Sequence, residues 1–149
     1  LSSLLIVIAG IDLKTHYIYK STTIFGIGAF IFIEIIDLLI SWQIPWENLL
    51  AGALGVIVIG AIVFFTGGMG EGDIEIALII GLFLGIKGLM LALFIAFILG
   101  GIIASIFLIL KFKERKAEIA FGPYLAMGAI ISLLYSTEII NWYISLMKI

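Results

Sequence analysis

The sequence predicts an all-α fold, a polytopic membrane bundle of about six transmembrane helices. Of its 149 residues, 64% are hydrophobic and 12% are charged, whereas a soluble domain carries about 45–50% apolar and about 25% charged residues. Seventeen glycines against two prolines favour close packing of helices in lipid. This composition excludes an ordinary soluble domain, a disordered chain and a nucleic-acid binder, and it makes a lipid bilayer the expected surroundings.

Six apolar segments follow one another along the chain. A bilayer core about 30 Å thick needs roughly 20 mostly apolar residues per helix. The segments are 1–11, 21–42, 48–66, 74–85, 88–110 and 121 to the C-terminus. The first is short and begins with Leu rather than Met, so we expect the N-terminus of the protein to be truncated in this sequence. Residues 1–149 are expected to form a single transmembrane domain.

The positive charges predict an orientation. With six spans, the loops 12–20, 67–73 and 111–120 fall on one side of the membrane and carry six Lys and Arg residues in total. The other side carries Lys87 and Lys148. Since cytoplasmic loops are enriched in Lys and Arg, we expect the first side to be cytoplasmic in a multi-pass protein of the plasma (inner) membrane.

Pairs of small residues predict contacts between the helices. Gly81 and Gly85 form a GxxxG pair, and Gly100 with Ala104 forms a similar pair in the next segment. Such pairs let helix backbones approach closely in lipid. We expect these contacts to hold the fourth segment against the first.

Two aspartates stand at the expected cytoplasmic mouth of the bundle. Asp12 ends the first segment and Asp73 opens the fourth. A carboxylate near hydrocarbon is costly and therefore indicates a functional role, although an isolated Asp at a helix end also serves as a simple cap. Two carboxyls within a few ångströms share a proton. One can then activate water while the other polarises a peptide carbonyl, and this proteolysis needs no metal or organic cofactor.

A glycine-rich loop leads into Asp73. Residues 67–73 have the sequence GGMGEGD. Gly68, Gly70 and Gly72 permit positive φ angles and close backbone approach, so a substrate strand can lie beside this loop with Asp73 at its end. The loop lacks the Lys-Ser/Thr ending of a phosphate-binding P-loop and no strand precedes it, which excludes that function.

Three short motifs resemble those of one enzyme family. Residues 70–73 (GEGD), preceded by Gly68 and Met69, resemble the GxGD signature of the type IV prepilin peptidases, which are intramembrane aspartic proteases. Residues 11–15 (IDLKT) resemble the segment that bears the family's first catalytic aspartate. Residues 121–128 (FGPYLAMG) resemble its late phenylalanine-glycine-proline segment. The three motifs occur in the family's order and span nearly the whole chain.

The resemblance implies a function and a set of site residues. It implies a single transmembrane peptidase domain in which Asp12 and Asp73 are catalytic. The substrate would be a prepilin or pseudopilin precursor, cut at the cytoplasmic face after a short basic leader. Residues that would line the substrate site are Gly68, Gly70, Glu71, Gly72, Phe121, Gly122 and Pro123.

Some features of the family are missing or altered. Tyr19 and Ala120 stand where the family has proline, and Glu75 stands where it commonly has lysine. None of these departures removes a catalytic carboxyl, so they bear on loop shape and substrate preference. The sequence contains no cysteine, so neither the zinc site nor the N-methyltransferase activity of the bacterial enzymes is implied for it, and no metal site is expected.

A second pair of carboxylates allows a different function. Glu34 and Asp37 lie three residues apart in the second segment, on nearly one helix face. They suit the relay of a small ion-coupled transporter or channel, or simply a polar contact with another helix or the outer water. A third possibility is a non-catalytic subunit of a membrane assembly. The transporter alternative predicts that neutralising Glu34 and Asp37 abolishes function while Asp12 and Asp73 tolerate change.

Overall fold

The structure is a bundle of helices. The computed structural model of the chain describes residues 1–15, 20–41, 44–110 and 121–147. Within these ranges it contains five helices and no strand. They are α1 (Ser2–Thr15), α2 (Lys20–Ser41), α3 (Trp46–Thr66), α4 (Glu71–Ile109) and α5 (Gly122–Met147).

Four of the helices, α2 to α5, are long and apolar enough to cross a membrane. The predicted polytopic all-α class is therefore confirmed, whereas the expected number of about six spans is slightly off. Two features account for the difference. The segments predicted at 74–85 and 88–110 follow each other directly within α4, with only the break at Gly85 between them, and α1 has only 14 residues.

Helix α4 is interrupted at Gly85. This residue has φ 67° and ψ −176°, which are not helical values, and only glycine adopts such a conformation readily. The break divides α4 into a first half, residues 71–84, and a second half, residues 86–109.

The two halves of α4 run in opposite directions. The start of α5 lies beside both of them, because Gly122 packs close to Ile76 and Phe121 packs against Gly100. In a straight helix, residues 76 and 100 would be about 36 Å apart. The chain must therefore reverse its direction at Gly85, which lies next to Glu47 at the start of α3.

Small residues bring α3 and the first half of α4 into close backbone contact. A Cβ atom at Gly55 would lie 2.6 Å from the carbonyl oxygen of Ala77, and one at Gly81 would overlap the backbone of Ala51. Gly81 therefore makes a close contact with α3, so the expectation that its GxxxG pair holds the fourth segment against the first is wrong. Its predicted partner, Gly85, instead lies at the break of α4.

The second half of α4 packs antiparallel to α5. A Cβ atom at Gly100 would lie 2.7 Å from the ring of Phe121. Further along, the buried Ser132 hydroxyl donates a 2.8 Å hydrogen bond to the carbonyl oxygen of Gly88. The buried core draws on α1, α3, α4 and α5. Helix α2 lies at its edge, with exposed apolar side chains such as Phe25 and Leu39.

Candidate active site

Asp73 is held at the start of α4 by the loop that precedes it. Helix α3 ends at Thr66, and Gly67 caps it in the left-handed conformation with φ 58°. Asp73 donates its backbone N–H to the carbonyl oxygen of Gly70 at 3.1 Å. In return, Oδ2 of Asp73 accepts a 3.2 Å hydrogen bond from the N–H of Gly70. This reciprocal pair fixes the carboxyl group, which is 3% exposed.

The other end of the loop is fixed by Thr66. Its hydroxyl donates to the carbonyl oxygen of Ile62 at 2.7 Å and accepts from the N–H of Gly68 at 3.2 Å. Gly68 and Glu71 are exposed, while Gly70 and Gly72 are half-buried. The loop therefore presents accessible backbone immediately beside a buried carboxyl group, as a peptide-binding loop requires.

Asp12 lies near the end of α1 and is buried against the start of α5. Its side chain is 5% exposed. A Cβ atom at Gly122 would lie 2.5 Å from Oδ2 of Asp12 and 3.0 Å from Cδ1 of Ile76. Asp12 therefore occupies the space that a side chain at position 122 would need, which explains why this position requires glycine.

The other two residues of the phenylalanine-glycine-proline segment, Phe121 and Pro123, pack inside the protein. Phe121 and Pro123 are both buried. The ring of Phe121 lies 5.4 Å from that of Phe97 and 6.0 Å from that of Tyr124, measured between centroids. The segment thus packs against the side of the site where Asp12 lies. Direct contact of Phe121 and Pro123 with a substrate stays a prediction.

Asp12 and Asp73 both lie buried at one end of the bundle, which we call the aspartate end. They are 61 positions apart in sequence and come from α1 and α4. Ile76, one turn after Asp73, borders the space that holds the carboxyl group of Asp12, so the two carboxyl groups lie near each other. Two buried, interacting carboxyls that share a proton can serve as an acid and a base in one reaction.

The sequence does not predict a polar contact that lies beside this pair. Thr23 of α2 is 7% exposed, and its hydroxyl donates a hydrogen bond to Oε2 of Glu75 near the start of α4. In the sequence, Glu75 stands out only as a departure from the family pattern. The available signal was the spacing of Thr23, Gly26 and Phe30, which places them on one face of α2.

The carboxylates of the alternative function lie elsewhere. Glu34 is half-buried and borders an apolar groove between α2 and the start of α3, and Asp37 is exposed. Both lie on α2 about 16–21 Å beyond Thr23, at a rise of 1.5 Å per residue. The structure therefore does not bring them to the aspartate end.

Several expectations fall outside the described residues. These concern the basic loop at 111–120 and the family departures Tyr19 and Ala120. In the part of the chain that is described, no group of three or more His, Cys, Asp or Glu side chains is placed to hold a metal ion.

Known proteins provide a further comparison. Residues 1–105 match the model of the type IV leader peptidase family. Over 145 residues, the chain is 31% identical to the prepilin leader peptidase/N-methyltransferase of Bacillus subtilis (strain 168), an alignment that covers 97% of the chain and 57% of that protein. It is 26% identical over 151 residues to the protein of the same name from Xanthomonas campestris pv. campestris, covering 97% of the chain and 51% of the relative.

A third relative matches a shorter stretch. The prepilin leader peptidase/N-methyltransferase of Legionella pneumophila is 40% identical over 76 residues, which cover 51% of the chain and 26% of that protein. No solved structure matches the chain. The chain spans about half the length of the two curated relatives that it matches along nearly its whole length. Since the family model covers more than half of its residues, the chain belongs to the type IV leader peptidase family.

Proposed function

We propose that this chain is an aspartic endopeptidase that removes the leader from type IV prepilin or pseudopilin precursors at the cytoplasmic face of the membrane. The observation that supports the proposal most strongly is the burial of two interacting carboxyls, Asp12 and Asp73, beside an accessible glycine-rich loop. The names of the family and of its relatives supply the class of substrate.

The chemistry follows from a pair of carboxyls with one shared proton. The ionised member takes a proton from water while the water oxygen attacks the carbonyl carbon of the scissile peptide bond. The protonated member donates a hydrogen bond to the carbonyl oxygen and stabilises the charge that develops there. The carbon–nitrogen bond then breaks, and the leaving amine takes a proton from the pair. The products are a carboxyl terminus on the leader and a new amino terminus on the pilin.

The surroundings of the pair suit such a substrate. A prepilin has a short leader outside the bilayer and an apolar helix within it, so the cut must be made near the membrane surface. Asp12 and Asp73 lie at an end of the bundle rather than at its middle, and the loop residues Gly68 and Glu71 are exposed beside them. Gly70 ties this loop to Asp73 through two hydrogen bonds, so a backbone bound along the loop would reach the carboxyl group.

The test is a cleavage assay in membranes with a tagged prepilin. It compares the unsubstituted chain with Asp12→Asn and Asp73→Asn, and sequencing of the product's N-terminus locates the cut. We expect the unsubstituted chain to cut at the leader junction and each Asn variant to lose at least about a thousandfold in rate, because an amide can neither accept the proton of water nor share one with its partner.

The matched controls are Glu34→Gln and Asp37→Asn, which neutralise the other pair of carboxylates. Both should cut at the unsubstituted rate, since they lie far from the aspartate end. Cleavage that survives in both Asp12→Asn and Asp73→Asn would refute the assignment of the catalytic pair. Failure of the unsubstituted chain to cut any prepilin would refute the proposed function.

A further inference from the structure

Three contacts along one face of α2 join it to the first half of α4. At the aspartate end, the Thr23 hydroxyl donates to Glu75. One turn further, a Cβ atom at Gly26 would lie 3.0 Å from Cδ1 of Ile79. The third contact joins the rings of Phe30 and Phe83, which meet edge to face with centroids 5.5 Å apart.

Only the first of these contacts is polar. In a bilayer, the hydrophobic effect gives little net attraction between helices, because lipid tails are as apolar as the side chains that they replace, so packing and hydrogen bonds hold the helices together. Of these, a hydrogen bond depends most strongly on direction. The bond between Thr23 and Glu75 therefore favours one position of α2 on α4, and the Gly26 and Phe30 contacts add close packing.

This contact acts on the segment that carries Asp73. Glu75 lies two residues after Asp73, just past the first turn of α4, so restraining its side chain restrains the rotation of the start of the helix. Ile76 lies against Gly122 at the start of α5, while Glu75 and Ile79 contact α2. The two sides of the turn are thus held by different neighbours.

We propose that Thr23 and Glu75 are positioning residues, whose hydrogen bond holds α2 against the start of α4 and so orients Asp73 for peptide cleavage. The inference rests on the proposed function for its catalytic part. Neither residue touches the reacting atoms. Their contribution is to hold the turn that presents the carboxyl group.

The first arm of the experiment measures the seating of α2 without any substrate. The sequence has no cysteine, so Gly26→Cys and Ile79→Cys introduce one defined pair. A Cβ atom at position 26 would lie 3.4 Å from Cγ1 of Ile79, which is within reach of a disulfide. The rate of oxidative crosslinking in membranes then reports the fraction of time that α2 is in contact with α4.

Four substitutions are placed in this background. Thr23→Val keeps the shape of the side chain but removes the donor, and we expect crosslinking to slow about threefold to tenfold, the range that the loss of one interhelical hydrogen bond implies. Thr23→Ser keeps a donor, and Glu75→Gln keeps an acceptor, so both should retain most of the rate. Ser21→Ala removes a hydroxyl from an exposed position in the same turn of α2 and should leave the rate unchanged.

The second arm measures prepilin cleavage with the same substitutions and no added cysteines. Thr23→Val should lower kcat about threefold to tenfold and leave KM unchanged, because the turn that carries Asp73 is disturbed while the substrate contacts are intact. Thr23→Ser should restore kcat. This pattern in both arms supports the proposal.

Two results would overturn it. Crosslinking of the Thr23→Val variant at the unsubstituted rate would show that the hydrogen bond does not seat α2. Slower crosslinking with an unchanged kcat would show that seating does not orient Asp73. Failure of the unsubstituted chain to cut is a separate result, which overturns the proposed function and leaves the crosslinking comparison valid.

Discussion

At the scale of single residues, the candidate site depends on glycines that leave room for carboxyls. Gly122 is the clearest case, because Oδ2 of Asp12 lies only 2.5 Å from where its Cβ atom would be. Gly70 serves Asp73 in another way, through the N–H that it donates to the carboxylate. Each of the motifs GEGD and FGP therefore contains a glycine that contacts an aspartate. Gly70 contacts Asp73 of its own motif, and Gly122 contacts Asp12 of α1.

Gly122→Ala should displace Asp12 and leave the bundle folded. The added methyl group requires a shift of the carboxyl group of about 1 Å, and a displacement of that size in a catalytic group costs about a hundredfold in rate. We expect prepilin cleavage in membranes to fall by roughly that factor. Gly10→Ala is the matched control, since it lies on α1 with Asp12 and its Cβ atom would meet nothing within 4 Å. Full activity of Gly122→Ala would contradict the placement of Asp12 in the catalytic pair.

At the scale of the elements, the reversal at Gly85 determines which helices surround the aspartates. Because α4 folds back there, its first half packs on α3 and its second half packs on α5. The start of α5 consequently lies at the aspartate end, where Phe121 and Gly122 pack beside Asp12. One glycine at the opposite end of the bundle is thus required for the geometry of the site.

Gly85→Ala should therefore weaken the fold. At φ 67° and ψ −176°, a side chain costs about 1–3 kcal/mol of backbone strain. We expect a lower unfolding temperature in detergent, followed by circular dichroism, while the cleavage rate per folded molecule at low temperature is retained. Gly60→Ala is the control, because its Cβ atom would come no closer than 3.9 Å to a neighbouring atom. An unchanged unfolding temperature for Gly85→Ala would contradict the reversal at this residue.

At the scale of the whole molecule, composition and motifs predict much of the architecture. The hydrophobic content determines the membrane class, and the predicted order of the spans puts Asp12 and Asp73 at the same end of the bundle, where the structure also has them. Their catalytic role stays a prediction. The apolar segments at 74–85 and 88–110 were also located, but the sequence pattern does not distinguish two separate helices from one element that folds back at a glycine. Gly81 has a helical backbone and Gly85 has a positive φ. The GxxxG spacing alone does not predict this difference, because it depends on the residues that surround each glycine.

The Thr23–Glu75 contact illustrates a second limit of the sequence. The two residues are 52 positions apart. The spacing of Thr23, Gly26 and Phe30 indicates a shared face of α2 but not the helix that this face contacts. A polar residue in an apolar helix indicates that a partner exists, because an unsatisfied hydroxyl or carboxylate in hydrocarbon is costly. Which partner it has depends on the rotation of α2 and α4 about their axes, and single-sequence patterns do not specify that rotation.

The orientation of the molecule in the membrane yields the last prediction. The excess of Lys and Arg favours a cytoplasmic aspartate end, and α3, with 21 residues, is long enough to place its two ends on opposite sides of the bilayer. In a sequence with no cysteine, Gly68→Cys labels the aspartate end and the exposed Glu47→Cys labels the opposite end. We expect a membrane-impermeant maleimide to label Glu47→Cys in intact cells, and to label Gly68→Cys only after permeabilisation. The reverse pattern would place Asp12 and Asp73 outside the cytoplasm, where a leader retained on the cytoplasmic side could not reach them.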